Sequence, residues 1–167
     1  MLRWGILLAL AVLAADQVTK ALIVANLPIY SAATPVVIDV TPFLNIWHVR
    51  TSGIAFSIGN FNDGGRYFIG ALAFAVAAGL IIIGRKSSSN LVVAAYALIA
   101  GGALGNAFDR LNPGRKTVVD FIDFHVAGLH WPSFNVADSA IVVGVALILA
   151  DMLFLADRRA SSSSSQE

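Results

Sequence analysis

Residues 7–28 read LLALAVLAADQVTKALIVANLP, and this stretch decides the class of fold. The apolar run extends over about residues 4–25, close to the ~20 residues that a bilayer core of ~30 Å requires. An ionised side chain near the bilayer centre costs about 2.5–3.5 kcal/mol on insertion scales, so Asp16 and Lys20 need a reason to be there. They stand four positions apart, which places them on one helix face where they can neutralise each other. Lys20 can also extend its charged end toward the outer interface. A cleaved secretory signal is the weaker alternative, because the apolar pattern continues past Asp16 to Val24.

The rest of the chain agrees with a membrane protein. Of 167 residues, 57% are hydrophobic and 13% are charged, where a soluble domain carries about 25% charged residues. Three further apolar runs of spanning length lie at about 66–84, 91–109 and 137–156. A net charge of +1 and the lack of a basic stripe argue against nucleic acid as a partner. The absence of cysteine excludes disulfides and thiolate chemistry. His48, His125 and His130 show no zinc-ligand spacing, so no metal or other cofactor is expected.

Residues 27–65 contain PVVIDV, FLNIWHV and GIAFSI, short β-rich stretches separated by Pro, Asn and Gly. They predict a small sheet on the membrane surface. Residues 84–90 form a polar turn, 111–136 a second long connection, and 161–167 a disordered Ser-rich tail. The expected fold is therefore an all-α membrane protein: four transmembrane helices in one domain, 1–160, with a small extracytoplasmic β-sheet inserted at 27–65 between helices 1 and 2. Basic residues number five on each side, but Arg3, Arg85, Lys86, Arg158 and Arg159 sit tightly against span ends in short segments. That placement puts both termini in the cytoplasm.

Four spans bring the end of span 1, the end of span 3, the 111–136 connection and the start of span 4 to one side. That side receives Asp16 and Lys20, Asn106 and Arg110, Asp120 and Asp123, and Asn135 and Asp138. Gly101 and Gly105 form a small-xxx-small pair that lets another helix approach. Asn106 and Arg110 share a helix face and suit either an interhelical clamp or a site. Asp120 and Asp123 stand among Val118, Val119, Phe121, Ile122 and Phe124, where a carboxylate is costly unless used or paired. Asn135 and Asp138 fit a helix N-cap and first-turn acid, and the same helix dipole suits a catalytic base. Two aspartates sharing one proton can hydrolyse a peptide, one taking a proton from water and the other donating to the carbonyl oxygen and leaving amine. A proton-coupled transporter would instead spread polar residues through the membrane depth, and the middles of spans 2 and 4 have almost none.

In order along the chain, DQVTK (16–20), GGALGNAFDR (101–110), VVDFIDF (118–124) and FNVADSAI (134–141) resemble blocks of the lipoprotein signal peptidases, the signal peptidase II family of bacterial inner membranes. The resemblance implies that Asp120 and Asp138 are the catalytic aspartates and that Asp123 is a nearby acid that is not. It implies that Asn106, Arg110 and Asn135 line the site, that Ala137 is the small residue beside the second aspartate, and that Asp16 and Lys20 form a structurally important pair. The second block, TSGIAF (51–56), departs from the family's Asn-x-Gly-x-Ala-Phe: Gly53, Ala55 and Phe56 match, and Thr51 replaces Asn. By the same resemblance the substrate is a diacylglyceryl-modified prolipoprotein, cut before its lipidated cysteine at the outer face of the membrane. The enzyme would act as a monomer among membrane lipid, without cofactor. The surface sheet would cradle the substrate, with Phe56 or Trp47 as apolar contacts.

Overall fold

The computed structural model describes residues 2–52 and 63–155. Four long helices and four strands run in the order α1 (Leu2–Asn26), β1 (Ile38–Thr41), β2 (Leu44–Thr51), α2 (Asp63–Gly84), α3 (Asn90–Leu111), β3 (Val118–Val126), β4 (Leu129–His130) and α4 (Val136–Ala150). A π-helical turn, Asp151–Leu155, ends α4. All four helices are long and apolar enough to cross a membrane, α4 when counted through Leu153.

Helix α3 is the axis on which α1, α2 and α4 each pack. Half of its most apolar stretch is buried, against 17% in each of the other three, so those helices give most of their surface to lipid. Small residues make this possible. A Cβ on Gly101 would stand 2.6 Å from the Ala9 carbonyl oxygen of α1, and one on Gly105 would stand 2.6 Å from Asp16 Oδ2. On the neighbouring face of α3, Gly102 is pressed against the Ala137 carbonyl of α4. Close backbone approach of this kind is what small residues provide where lipid removes the hydrophobic drive between helices.

The expected sheet is present, and it draws on both long connections. Its order is β1-β2-β3-β4 and every pairing is antiparallel. Strands β1 and β2 come from the connection after α1; β3 and β4 come from the one after α3. In register, Thr51 pairs with Val118, Val49 with Asp120 and Asn45 with Asp123. An irregularity between Ile46 and Val49 shifts the ladder at Trp47 and His48. Ala127 and Gly128 both have positive φ, 51° and 80°, the backbone of a two-residue type I′ hairpin between β3 and β4.

Strand β3 does not alternate between buried and exposed. Val118 to Phe121 are all buried and so is Asp123. The reason is cover on both sides: β3 touches α1 and α3, while the Phe121 and Ile122 amides donate to the Phe134 carbonyl. His48 pins β2 to the end of α1. Its Nδ1 faces the Leu27 carbonyl at 2.9 Å and its Nε2 accepts from Arg50 Nε at 3.0 Å, which fixes the neutral Nδ1–H tautomer.

Candidate active site

The polar residues of the four spans meet where the ends of α1 and α3, strand β3 and the start of α4 converge. Asn135 begins α4 as its N-cap. Its side chain accepts from the Asp138 N–H at 3.0 Å, and Asp138 Oδ2 accepts from the Asn135 N–H at 3.2 Å. This reciprocal capping box places Asp138 in the first turn of the helix. The same Asn135 amide donates to Asp120 Oδ1 at 2.6 Å. One side chain therefore holds both aspartates, one through each end of its amide.

Asp120 is 4% exposed. Thr51 Oγ1 donates to its Oδ2 at 2.6 Å. Burial pushes its carboxyl up to about 6, helped by the neighbouring Asp138 and opposed by the Thr51 and Asn135 hydrogen bonds. Asp138 Oδ1 accepts from Asn106 Nδ2 at 2.7 Å. The orientation of the Asn106 amide follows from its other neighbour: Lys20 Nζ, which can only donate, lies 3.0 Å from Asn106 Oδ1. With its oxygen turned to Lys20, the amide must present N–H to Asp138.

Asp16 and Lys20 pair as expected, at 2.9 Å, and Asp16 Oδ1 also accepts from the Ala137 N–H at 3.0 Å. Lys20 does not reach the interface. It is fully buried, because a second carboxylate, Asp109 Oδ2, holds it at 2.8 Å. Ala137 is itself fully buried beside Gly105, where an ideal Cβ would lie 3.3 Å from the Ala137 Cβ. Arg110 donates to the Asn106 carbonyl at 3.2 Å and stands within electrostatic range of Asp138, Asp120 and Asp109. Among the described residues no group of His, Asp and Glu is arranged to hold a metal.

A family sequence model described as "Signal peptidase (SPase) II" matches residues 8–154. The chain belongs to the signal peptidase II family. Among its relatives, a lipoprotein signal peptidase of Aeromonas hydrophila is 46% identical, aligned over 90% of this chain and 87% of the relative. One from Pseudoalteromonas atlantica is 43% identical over 87% of this chain and 86% of the relative. A solved structure of a bacterial membrane enzyme superposes with a TM-score of 0.73 at 34% identity, covering 89% of this chain and 87% of the other.

Within this signal peptidase II chain, Asp120, Asp138, Asn106, Asn135, Thr51, Asp16, Lys20 and Ala137 are brought together, with Arg110 at the edge. Gly53, Ala55 and Phe56 lie outside the described residues. Asp123 is elsewhere: fully buried, it accepts from Asn45 Nδ2 at 3.1 Å and faces His130 Nδ1 at 2.9 Å. Trp47 is bound into the sheet, stacked on His130 with ring centroids 5.9 Å apart and donating to Ser133 Oγ at 2.8 Å. Two residues of the cluster escaped the sequence reading. Asp109 was legible only as the single acid in GNAFDR, and Gln17 as one more polar residue in DQVTK. Gln17 donates to Asp16 Oδ2 and to the Gly105 carbonyl, at 3.0 and 3.1 Å.

Proposed function

We propose that this lipoprotein signal peptidase removes signal peptides from diacylglyceryl-modified prolipoproteins by aspartate-activated water, with Asp120 and Asp138 as its catalytic pair. The observation that carries this is the single Asn135 amide that donates to Asp120 and accepts from the backbone of Asp138. The Asn135 backbone N–H also donates to the Asp138 carboxyl, so one residue holds both carboxyls, a pre-organised arrangement for concerted acid–base work.

Their environments suit different tasks. Asp138 receives only donors, from Asn106 Nδ2 and the Asn135 N–H, at the start of a helix whose dipole favours a carboxylate. It is the member suited to accept the proton of the attacking water. Asp120, buried and with its carboxyl raised toward neutrality, is the member suited to hold a proton. It donates to the carbonyl oxygen as the tetrahedral gem-diol forms; as the C–N bond breaks, Asp138 passes the proton it took from water to the leaving amine, and a gem-diol hydroxyl returns a proton to Asp120. No covalent intermediate is required. The substrate's signal segment and lipid chains would lie in the bilayer, with the bond before the lipidated cysteine at the interface and the sheet above it.

The same reading places both termini in the cytoplasm, the site at the outer face, and one chain per active unit. The lack of cysteine makes topology simple to test, since Gly114→Cys and Ser163→Cys each introduce a lone thiol. In intact cells an impermeant maleimide should label the first and spare the second.

Activity is tested with purified protein in detergent or lipid and a diacylglyceryl prolipoprotein, its unlipidated form serving as control. Wild type and Asp123→Asn should cut only the lipidated substrate, while folded Asp120→Asn and Asp138→Asn should be inert. Full-rate cleavage by either of the last two would overturn the assignment.

A further inference from the structure

Asp109 has no part in the chemistry above, yet it is fully buried and bound on three sides. Its Oδ2 lies 2.8 Å from Lys20 Nζ in α1 and 3.5 Å from the Val119 N–H, the residue before Asp120 in β3. Its Oδ1 lies 2.6 Å from Arg115 NH1 in the α3–β3 connection. Arg115 in turn donates to Gln17 Oε1 at 3.0 Å, and Gln17 donates to Asp16 Oδ2. Asp16, Lys20, Asp109, Arg115 and Gln17 thus form a closed ring of two acids, two bases and one amide, without net charge.

Lys20 is the link between this ring and the site. An ammonium has three N–H donors, and Lys20 has three acceptors: Asp16 Oδ2, Asp109 Oδ2 and Asn106 Oδ1, at 2.9, 2.8 and 3.0 Å. All three donors are used, so the head group has one orientation. Asp109 sets one of its three contacts and thereby steadies the third, which turns the Asn106 amide N–H toward Asp138.

We propose that Asp109 is a positioning residue for the aspartate pair, acting on Asp138 through Lys20 and Asn106 and on Asp120 through the Val119 N–H. The proposal rests on the reading of Asp120 and Asp138 as catalytic. With Asn at 109, one of the two basic neighbours would face an amide N–H instead of a carboxylate oxygen. Lys20 would lose an anchor, and the Asn106 amide would be free to turn its oxygen to Asp138. The ring would also carry one surplus positive charge.

A residue that only glued α1 to α3 would lower stability and, through its charge, move the pH profile, but would leave the optimal kcat untouched once the charge is balanced. The kcat of the charge-neutral double variant, read beside its pH profile, separates the two roles. The titratable groups around the pair are Asp16 and Lys20 from α1, Asp109 and Arg110 from α3, Arg115 from the following connection, and His48 and Arg50 from β2, with Arg66 of α2 donating to the Arg110 carbonyl at 3.2 Å. Only Asp109 and Arg115 are changed in the test.

The kcat and KM of the full chain are measured against pH on the lipidated prolipoprotein, for wild type, Asp109→Asn, Arg115→Gln and the double variant, with Asp120→Asn and Asp138→Asn alongside. Asp109→Asn should lower kcat on the order of tenfold to a hundredfold with KM little changed. Its surplus positive charge should move the limbs of the kcat profile to lower pH by on the order of half a unit. Arg115→Gln should move them to higher pH, and the double variant, neutral again, should return them to the wild-type position. A wild-type optimal kcat in Asp109→Asn or in the double variant, or limbs that stay in place in all three variants, overturns the proposal even if thermal stability falls. If Asp109→Asn does not fold, an unmoved profile in Arg115→Gln, whose side chain is partly exposed, overturns it alone. Activity retained in Asp120→Asn or Asp138→Asn would instead overturn the catalytic pair itself.

Discussion

Thr51 Oγ1 donates to Asp120 Oδ2 at 2.6 Å across 69 positions of sequence. Where the resemblance leads one to expect an Asn amide, this chain has a hydroxyl, and it still supplies a donor toward the aspartate. Thr51→Val keeps the shape and deletes the donor. It should lower kcat about tenfold, the cost of one hydrogen bond to a charged group felt at the transition state. Because this bond lowers the Asp120 carboxyl, the alkaline limb of the Thr51→Val profile should move upward. Thr51→Asn should retain activity.

The raised carboxyl of Asp120 makes both rate and stability fall as the pH rises. As the proposed proton donor it must be protonated, so kcat/KM, which follows the free enzyme, should fall as the pH rises through about 6. Stability follows the same proton: the folded carboxyl, at about 6, lies above its ordinary 3.8, so the folded state holds the proton more tightly. Stability is therefore lost as the pH rises from about 4 to about 6, by about 3 kcal/mol in all. Asp120→Asn removes this loss. Its amide can donate to the Thr51 hydroxyl and accept from Asn135, so the variant should be inert yet melt higher than wild type at pH 7.5 and not at pH 4, as thermal unfolding in detergent would report.

Gly102 and Gly105 predict a graded packing defect. Alanine at 102 meets a backbone carbonyl of α4, which cannot move without shifting the helix that carries Asp138. Alanine at 105 meets the carboxylate of Asp16, which can turn. Overpacking typically costs about 1–3 kcal/mol. Gly102→Ala should lie at the upper end and also lose activity, with Gly105→Ala milder on both measures.

His130 gives a prediction for the sheet alone. Replacing it by Ala leaves the buried Asp123 carboxyl to the Asn45 amide of the neighbouring strand. A loss of about 1–3 kcal/mol in stability is expected, with turnover per folded molecule unchanged. Urea or thermal titrations paired with cleavage rates check both halves.

The spans were legible because twenty apolar residues in a row have few other uses, and the small-residue spacing of Gly101 and Gly105 correctly announced close helix packing. The Asp16–Lys20 pair was also legible from spacing alone. Strand β3 was not: VVDFIDF puts acids three apart and apolar residues between them, a pattern without the period of two that marks a half-exposed strand. Only tertiary cover on both faces explains it. Asp109 was hidden for a related reason. Its partners Lys20 and Arg115 lie on other elements, and pairing across elements leaves no spacing to read.

The sheet that joins the two long connections also means that the proposed site is completed only late along the chain. Thr51 meets Asp120 only after β3 has been made and paired with β2. Asp138 joins them only once α4 has begun, with Asn135 at its head. A nascent chain with three helices made therefore carries one of the two proposed catalytic aspartates and not yet the Asn135 amide that binds it. Such late, long-range pairing is slow to form. With the proposed pair, the second aspartate and the amide that holds both exist only once the last helix has begun.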